Sequence, residues 1–288
     1  MRPADGDRPA QHRYTVPVAR EDAEIVAATL WTVGATGVWE RPGELIAWFP
    51  TRDVPGLPSG GELADEPDRD WQAEWKATIG PVRAGRFCVV PTWTIDTHTA
   101  EAGEVTIVLD PGRAFGSGHH ATTAQCLELL DELAVEPGRE PGDLTHLLVA
   151  DVGCGSGVLA IAAAMRGARA VGTDIDPEAL AVTDENADRN EVDLTTAVGS
   201  AAAATELLGA PADVVLANLV TDTLAELAGS LVAALAPGGT LLASGIAADR
   251  ADVATGPLEA AGLHIDERRE RDGWVALRGH RVGAGAAD

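Results

Sequence analysis

Residues Leu147 to Asp176, LLVADVGCGSGVLAIAAAMRGARAVGTDID, decide the fold. Leu147 to Val152 is a short apolar run carrying Asp151 near its end, and Gly153, Gly155 and Gly157 follow at once, which predicts a buried strand breaking into a glycine turn. Val158, Leu159, Ile161, Ala162 and Met165 then recur at helical spacing up to Gly167, a helix C-cap, before a second apolar run from Ala170 to Ile175. The unit is β-turn-α-β. Glycines without Cβ atoms let a backbone approach a ligand closely. Asp174 ends the second strand about 20 residues beyond the turn, the separation at which a carboxylate accepts hydrogen bonds from ribose hydroxyls. A nucleoside is expected at the strand ends.

The frame Gly155 to Ala160 fits the dinucleotide pattern G-x-G-x-x-A, so NAD is one reading and a bare structural turn another. The longer frame from Asp151 to Gly157, D-x-G-x-G-x-G, resembles the first motif of S-adenosylmethionine (SAM) dependent methyltransferases. There the ligand has no pyrophosphate and its amino acid part lies over the turn.

Composition sets the bounds. A chain of 288 residues with 45% hydrophobic and 23% charged side chains can bury a full α/β core and carry a small extra domain. The apolar helix from Val158 to Met165 is too short to span a bilayer, and the segment MRPADGDRPAQHR has no apolar core for a secretory signal, so a cytoplasmic protein is expected. Cys88, Cys126 and Cys154 form no C-x-x-C pair and read as reduced thiols; Cys154 reads as a small residue that fits the glycine turn, not a nucleophile. A net charge of −24 disfavours direct contact with nucleic acid or an anionic membrane and suits a basic partner. With Lys76 the only lysine and alanine abundant, compositional bias or salt adaptation is an equal explanation of that charge.

Along the chain, residues 1–11 read as a disordered leader. A strand from Tyr14, a helix from Glu21 to Trp31 and strands at Gly34 to Trp39 and Leu45 to Phe49 make a β-α-β-β unit over residues 12–50. Residues 51–70, rich in Pro, Gly and acid, read as a linker. Trp71 and Trp75 fall one helical turn apart, and strands follow at Phe87 to Trp93 and Val105 to Leu109. The loop Asp110 to Thr123, DPGRAFGSGHHATT, runs into a helix from Thr123 to Leu133 whose threonines and amides can receive a ligand carboxylate. The adjacent His119 and His120 point apart with no further ligand at helical spacing, so no metal is expected. Further on come helix Pro177 to Arg189, strand Thr195 to Val198, strand Ala212 to Ala217 ending in Asn218, helix Thr221 to Leu235, strand Thr240 to Ser244, helix Arg250 to Ala261 and two closing strands. This alternation predicts an α/β fold, a parallel sheet covered on both faces with ligands at the strand C-termini, over residues 71–280. Residues 281–288 read as a disordered tail. Asn218, at the tip of its strand, is either a cap for the next turn or part of the group that orients an attacking amine, through its side chain or through a carbonyl of the Asn218-Leu219-Val220 turn.

The ordered set DWQAEWKATIGPVRAGRFCVVPTW, DPGRAFGSGHHATTAQCLELL, DVGCGSGVLAIAA, GTDIDPEAL, ANLV, PGG and LLASGI resembles the ribosomal protein L11 methyltransferase (PrmA) family over about Asp70 to Ile246. The resemblance implies a Rossmann-like SAM-dependent methyltransferase domain joined to a small N-terminal ferredoxin-like α+β domain that recognises the ribosomal substrate, whose lysine amines are trimethylated. It implies SAM contacts at Thr123, Gly153, Asp174 and Asn218, with Phe115 to Gly118 forming the loop beside the cofactor; Phe115 and Gly155 are expected to touch the cofactor too, and Asn218 is the expected catalytic residue. Ser117 and Ala121 stand where the family usually has Thr and Pro. The N-terminal domain reads as shortened, because a second helix and last strand would have to come from residues 51–70. Another protein or a small amine is therefore an alternative acceptor, and a SAM- or NAD-binding module without transfer activity is the alternative of another class. No dedicated general base is evident, and His120 is only a weak candidate for one.

Overall fold

The computed structural model describes residues 12–19, 23–41, 43–65, 79–110, 120–133 and 140–283, and the chain divides into two compact units, Met1–Ala77 and Thr78–Asp288. In the first unit β1 (His12–Pro17), α1 (Ala23–Thr32), β2 (Gly37–Arg41), β3 (Glu44–Phe49) and β4 (Glu62–Asp65) form a four-stranded sheet of order β2-β3-β1-β4 with one described helix. Every pairing is antiparallel. Tyr14, Val16, Leu30, Leu45, Ala47 and Phe49 make its core.

Here the structure corrects the linker reading of residues 51–70. Glu62–Asp65 pairs with β1, while Val54, Leu57 and Leu63 pack on the core and the Tyr14 hydroxyl donates to the Pro58 carbonyl. The strand order is that of a ferredoxin-like unit whose last strand is kept. No helix occupies residues 50–61, between β3 and β4. The prolines and glycines that suggest a linker instead build the turns that carry the chain back to the sheet edge.

The second unit opens with β5 (Val82–Ala84), β6 (Phe87–Pro91) and β7 (Val105–Leu109), a three-stranded sheet with β7 at one edge. Trp93 lies in a turn after β6, beyond the strand expected there. The chain continues through α2 (Ala121–Asp131), β8 (Leu148–Val152), α3 (Val158–Met165), β9 (Arg169–Asp174), α4 (Pro177–Arg189), β10 (Thr195–Val198), α5 (Ala201–Leu208) and β11 (Ala212–Asn218). It finishes with α6 (Thr221–Ala234), β12 (Leu235–Ala247), α7 (Ala251–Ala260), β13 (Leu263–Arg271) and β14 (Trp274–Arg281). The large sheet has the order β10-β9-β8-β11-β12-β14-β13.

The period-2 alternation of β11 shows how the layers form. Val214 and Leu216 face a core shared with Leu127, Leu130, Ile161 and Phe87, whereas Val215 and Ala217 face one shared with Leu208, Leu224, Leu231 and Leu258. One face thus takes α2, α3 and the small sheet; the other takes α5, α6 and α7.

Three details depart from the sequence reading. The closing strands form an antiparallel hairpin, and β14 inserts between β12 and β13. Helix α5, hidden in an alanine run without apolar-polar contrast, supplies the crossover from β10 to β11. Arg281 belongs to β14, its guanidinium bonded to the Leu235 carbonyl at 2.5 Å, and so is no part of a tail. The leader, the Trp71 and Trp75 pair, and residues 111–119 lie outside the described residues.

Candidate active site

β8 lies between β9 and β11, with the next strand along the chain to one side and the later ones to the other, and a crevice opens at such a switch point. A cleft of about 330 Å³ sits there, lined among others by Asp151, Gly153, Gly155, Asp174, Ile175 and Asn218. Each comes from the carboxyl end of a strand.

The glycine turn forms the cleft floor. Gly153, Gly155 and Gly157 have φ of 75°, 55° and 80°, a region other residues enter only with strain. A Cβ on Gly153 would stand 2.3 Å from Leu219 Cδ2, so a side chain there would have to push that leucine aside. Asp174 fixes the turn from the next strand, accepting the Gly155 amide and the Asp176 amide, each at 3.0 Å. Cys154 is buried, and desolvation pushes its thiol up to about 12, which keeps it protonated and un-nucleophilic.

Asp151 is 1% exposed and accepts the Ala160 amide at 3.0 Å. Gly157, the N-cap of α3, has no side chain, so this carboxylate satisfies one of the orphan amides of the helix start. Burial pushes its pKa up to about 7; the Ala160 bond opposes that rise and the Asp174 charge adds to it.

Across the cleft, the amide of Asn218 donates to the buried Thr123 hydroxyl at 3.1 Å. Its Oδ1 is buried with no hydrogen-bond partner among the described residues. A buried acceptor left unpaired costs about 1–3 kcal/mol, and a ligand N–H reaching it would recover that. Thr123 lies inside the first turn of α2, because the helix starts earlier than expected: the N-cap is His120, whose Nδ1 contacts the Thr122 hydroxyl at 2.9 Å. The hairpin holds α2 in place. Arg271 pairs with Glu128 at 2.8 and 2.9 Å and Arg269 with Glu132, while Trp274 meets the His120 ring edge-on at 4.9 Å.

Of the residues expected from sequence, Gly153, Gly155, Asp174 and Asn218 line the cleft together. Thr123 reaches it through Asn218. Phe115 falls outside the described residues. Leu219 and Val220, of the turn after Asn218, line the cleft as well, and so do Ile175, Gly199 and Ser200, which no motif in the sequence singled out. Ile175 is 82% exposed, a large apolar side chain left open to solvent at the cleft. Its signal was available: a large apolar residue just past a strand end, before the Asp176 N-cap and Pro177.

Away from the cleft, ligand atoms of Cys88, His98 and Glu104 come within 4.8 Å of one another. Burial raises the Glu104 pKa, but bonds from His98, Thr106, the Glu101 amide and Arg83 outweigh it and hold the group down at about 2. With both carboxylate oxygens engaged and Arg83 neutralising the charge, this is a closed ion-pair network and not an open metal centre.

The comparisons with known proteins agree with this geometry. The model of the family "Ribosomal protein L11 methyltransferase (PrmA)" matches residues 59–282. A ribosomal protein L11 methyltransferase of Pelotomaculum thermopropionicum is 44% identical over 245 residues, 84% of this chain and 76% of the relative. That of Thermus thermophilus is 38% identical over 264 residues, 92% of this chain and 97% of the relative. The crystal structure of a ribosomal protein L11 methylase from Lactobacillus delbrueckii subsp. bulgaricus superposes with a TM-score of 0.61 at 28% identity, covering 71% of this chain and all, 100%, of that one. Matched by the family model over residues 59–282 and by relatives along most of its length, the chain belongs to the ribosomal protein L11 methyltransferase (PrmA) family.

Proposed function

We infer that this protein methylates lysine amines of ribosomal protein L11 with SAM as methyl donor. The observation that carries the reading is the unpaired Oδ1 of Asn218, held by Thr123 at the rim of a cleft whose floor is the glycine turn. SAM, when bound, supplies an electrophilic methyl on a sulfonium.

The chain's residues do the positioning. Asp174 would hold the ribose by accepting from its hydroxyls, and the turn at Gly153 and Gly155 would let the amino acid part lie against bare backbone. Asn218 Oδ1 would accept an N–H of the acceptor amine and so orient its lone pair towards the methyl group that SAM would supply. Orientation of this kind supplies most of the acceleration in such a displacement. The amine, with a pKa of about 10.4 in water, has to arrive neutral, and the apolar Leu219 and Val220 beside Asn218 favour loss of its proton. His120 Nδ1 is occupied at the start of α2, so only Nε2 is left to act as a base.

The net charge of −24 supports a basic protein as acceptor and disfavours direct contact with nucleic acid or an anionic membrane. Among the described residues no helix is long and apolar enough to cross a membrane, and a ribosomal protein acceptor suits a cytoplasmic site of action. The test is full-length protein with SAM and purified ribosomal protein L11, followed by intact mass. Successive gains of about 14 Da on L11 are expected, with KM rising at high salt as the Debye length shrinks. Methylation of some other component of a cell extract, with L11 untouched, would move the acceptor elsewhere.

A further inference from the structure

The glycine turn is gripped from behind by α4. Thr183 donates its hydroxyl to the Gly155 carbonyl at 2.8 Å, and the Asn186 amide donates to the Ser156 carbonyl at 2.9 Å. Both side chains are 0% exposed, and neither lines the cleft. The Asn186 amide can face only one way, because its Oδ1 accepts from the Asp110 amide at 3.2 Å and from Arg189 at 2.8 Å, whereas the Ser156 oxygen can only accept. Asn190, one turn on, pairs with both backbone groups of Val108 at 2.7 and 2.8 Å. Three side chains on one face of the helix and its cap thus join the glycine turn to the end of β7.

A hydrophobic helix face would pack behind the turn equally well and leave its carbonyls unanchored. A trans peptide is planar, so fixing a carbonyl on one side also fixes the N–H on the other. Anchoring the Gly155 and Ser156 carbonyls therefore sets the orientation of two successive peptide planes, the first starting at Gly155 in the cleft lining and the second just behind it. Glycine at 155 and 157 leaves the turn few steric limits of its own, so its conformation depends on such bonds, among them that of the Gly157 amide to the Cys154 carbonyl at 2.8 Å.

We propose that Thr183 and Asn186 are positioning residues for SAM, holding the glycine turn in its binding conformation through the Gly155 and Ser156 carbonyls without touching the cofactor. The proposal rests on SAM as the ligand of the cleft, so the first measurement is calorimetry of the wild-type protein with SAM. No binding there sinks the cofactor reading itself; binding there lets the variants speak to α4 alone.

Thr183→Val keeps the shape and removes the donor, whereas Thr183→Ser keeps the donor and removes the methyl that lies against Gly157. The hydroxyl anchor requires Thr183→Val to weaken SAM binding about tenfold and Thr183→Ser to stay within about twofold of wild type. A packing role requires the reverse order, since valine fills the space and serine leaves a gap. Asn186→Asp keeps the acceptor for Asp110 and Arg189 but sets an oxygen against the Ser156 carbonyl, and it too should weaken SAM about tenfold or more. If one of these variants fails to fold, the other position carries the test. Wild-type affinity in Thr183→Val and Asn186→Asp well below their melting temperatures, or equal loss in Thr183→Ser and Thr183→Val, overturns the proposal.

Discussion

Replacing Asp151 by Asn tests how the cleft meets a cationic ligand. The Asp151 carboxyl rises from an ordinary 3.8 to about 7 because it is desolvated beneath the glycine turn, with the Ala160 amide opposing the rise and Asp174 adding to it. A shift of that size corresponds to about 4 kcal/mol between its protonated and ionised forms in the folded protein. Between those two values the folded state holds more protons than the unfolded chain, so stability falls as pH rises. The penalty is absent below the unfolded value and complete above about pH 7. Asp151→Asn, which keeps an oxygen for the Ala160 amide and cannot ionise, should therefore melt higher than wild type at about pH 8, with the difference shrinking towards about pH 4.

SAM reverses the balance. Its sulfonium and ammonium favour the ionised carboxylate, so binding draws a proton off Asp151 near neutrality. Wild-type affinity should climb by up to about tenfold per pH unit below pH 7, and calorimetry in two buffers of different ionisation enthalpy should register the released proton. The SAM amino group titrates nearby, so the readout is the difference between wild type and Asp151→Asn. Identical pH profiles, or a variant that melts no higher than wild type at about pH 8, would refute a desolvated Asp151 facing the ligand.

Asp174→Ala should weaken SAM about tenfold or more, since it removes charge-assisted ribose bonds and frees the Gly155 amide; unchanged affinity by calorimetry would remove the ribose assignment. Asn218→Ala should lower kcat further than it raises the SAM Kd, as loss of a transition-state contact does, and a variant that loses only cofactor affinity would reduce Asn218 to a binding residue. Gly153→Ala forces a non-glycine residue to φ 75° and drives a methyl into Leu219, so Tm should fall by about 3–6 °C with SAM binding weakened. A wild-type Tm would mean that Leu219 moves aside freely.

The parts legible in the sequence were those whose signal is local. The glycines after β8, the acid ending β9 and the polar residue at the tip of β11 sit next to apolar runs, and strand periodicity carries them to the sheet's carboxyl edge. What escaped is set by distant partners. The bond from Asn218 to Thr123 spans 95 residues and depends on α2 crossing over β11, which no window of sequence contains. Insertion of β14 between β12 and β13 is likewise invisible locally, although Asp272 and Gly273, both at positive φ, mark the tight turn that makes the hairpin. β4 was hidden because Glu62 to Asp65 presents two acids and only one large apolar residue, Leu63, to a sheet edge that is half solvated. Helix α5 was hidden for the opposite reason: alanine favours helix but carries no face.

The bonding of Asn190 to Val108 has a consequence for solubility. β7 is an edge strand rich in β-branched residues, VTIVL, the kind of exposed ladder that recruits strands from other molecules. Asn190 engages the donor and the acceptor of Val108, the groups an incoming strand would need in mid-edge, and Asn186 does the same for the amide of Asp110 just beyond. One helix thus denies this edge to neighbouring chains, a safeguard against fibrillar association in a protein whose small sheet would otherwise invite it.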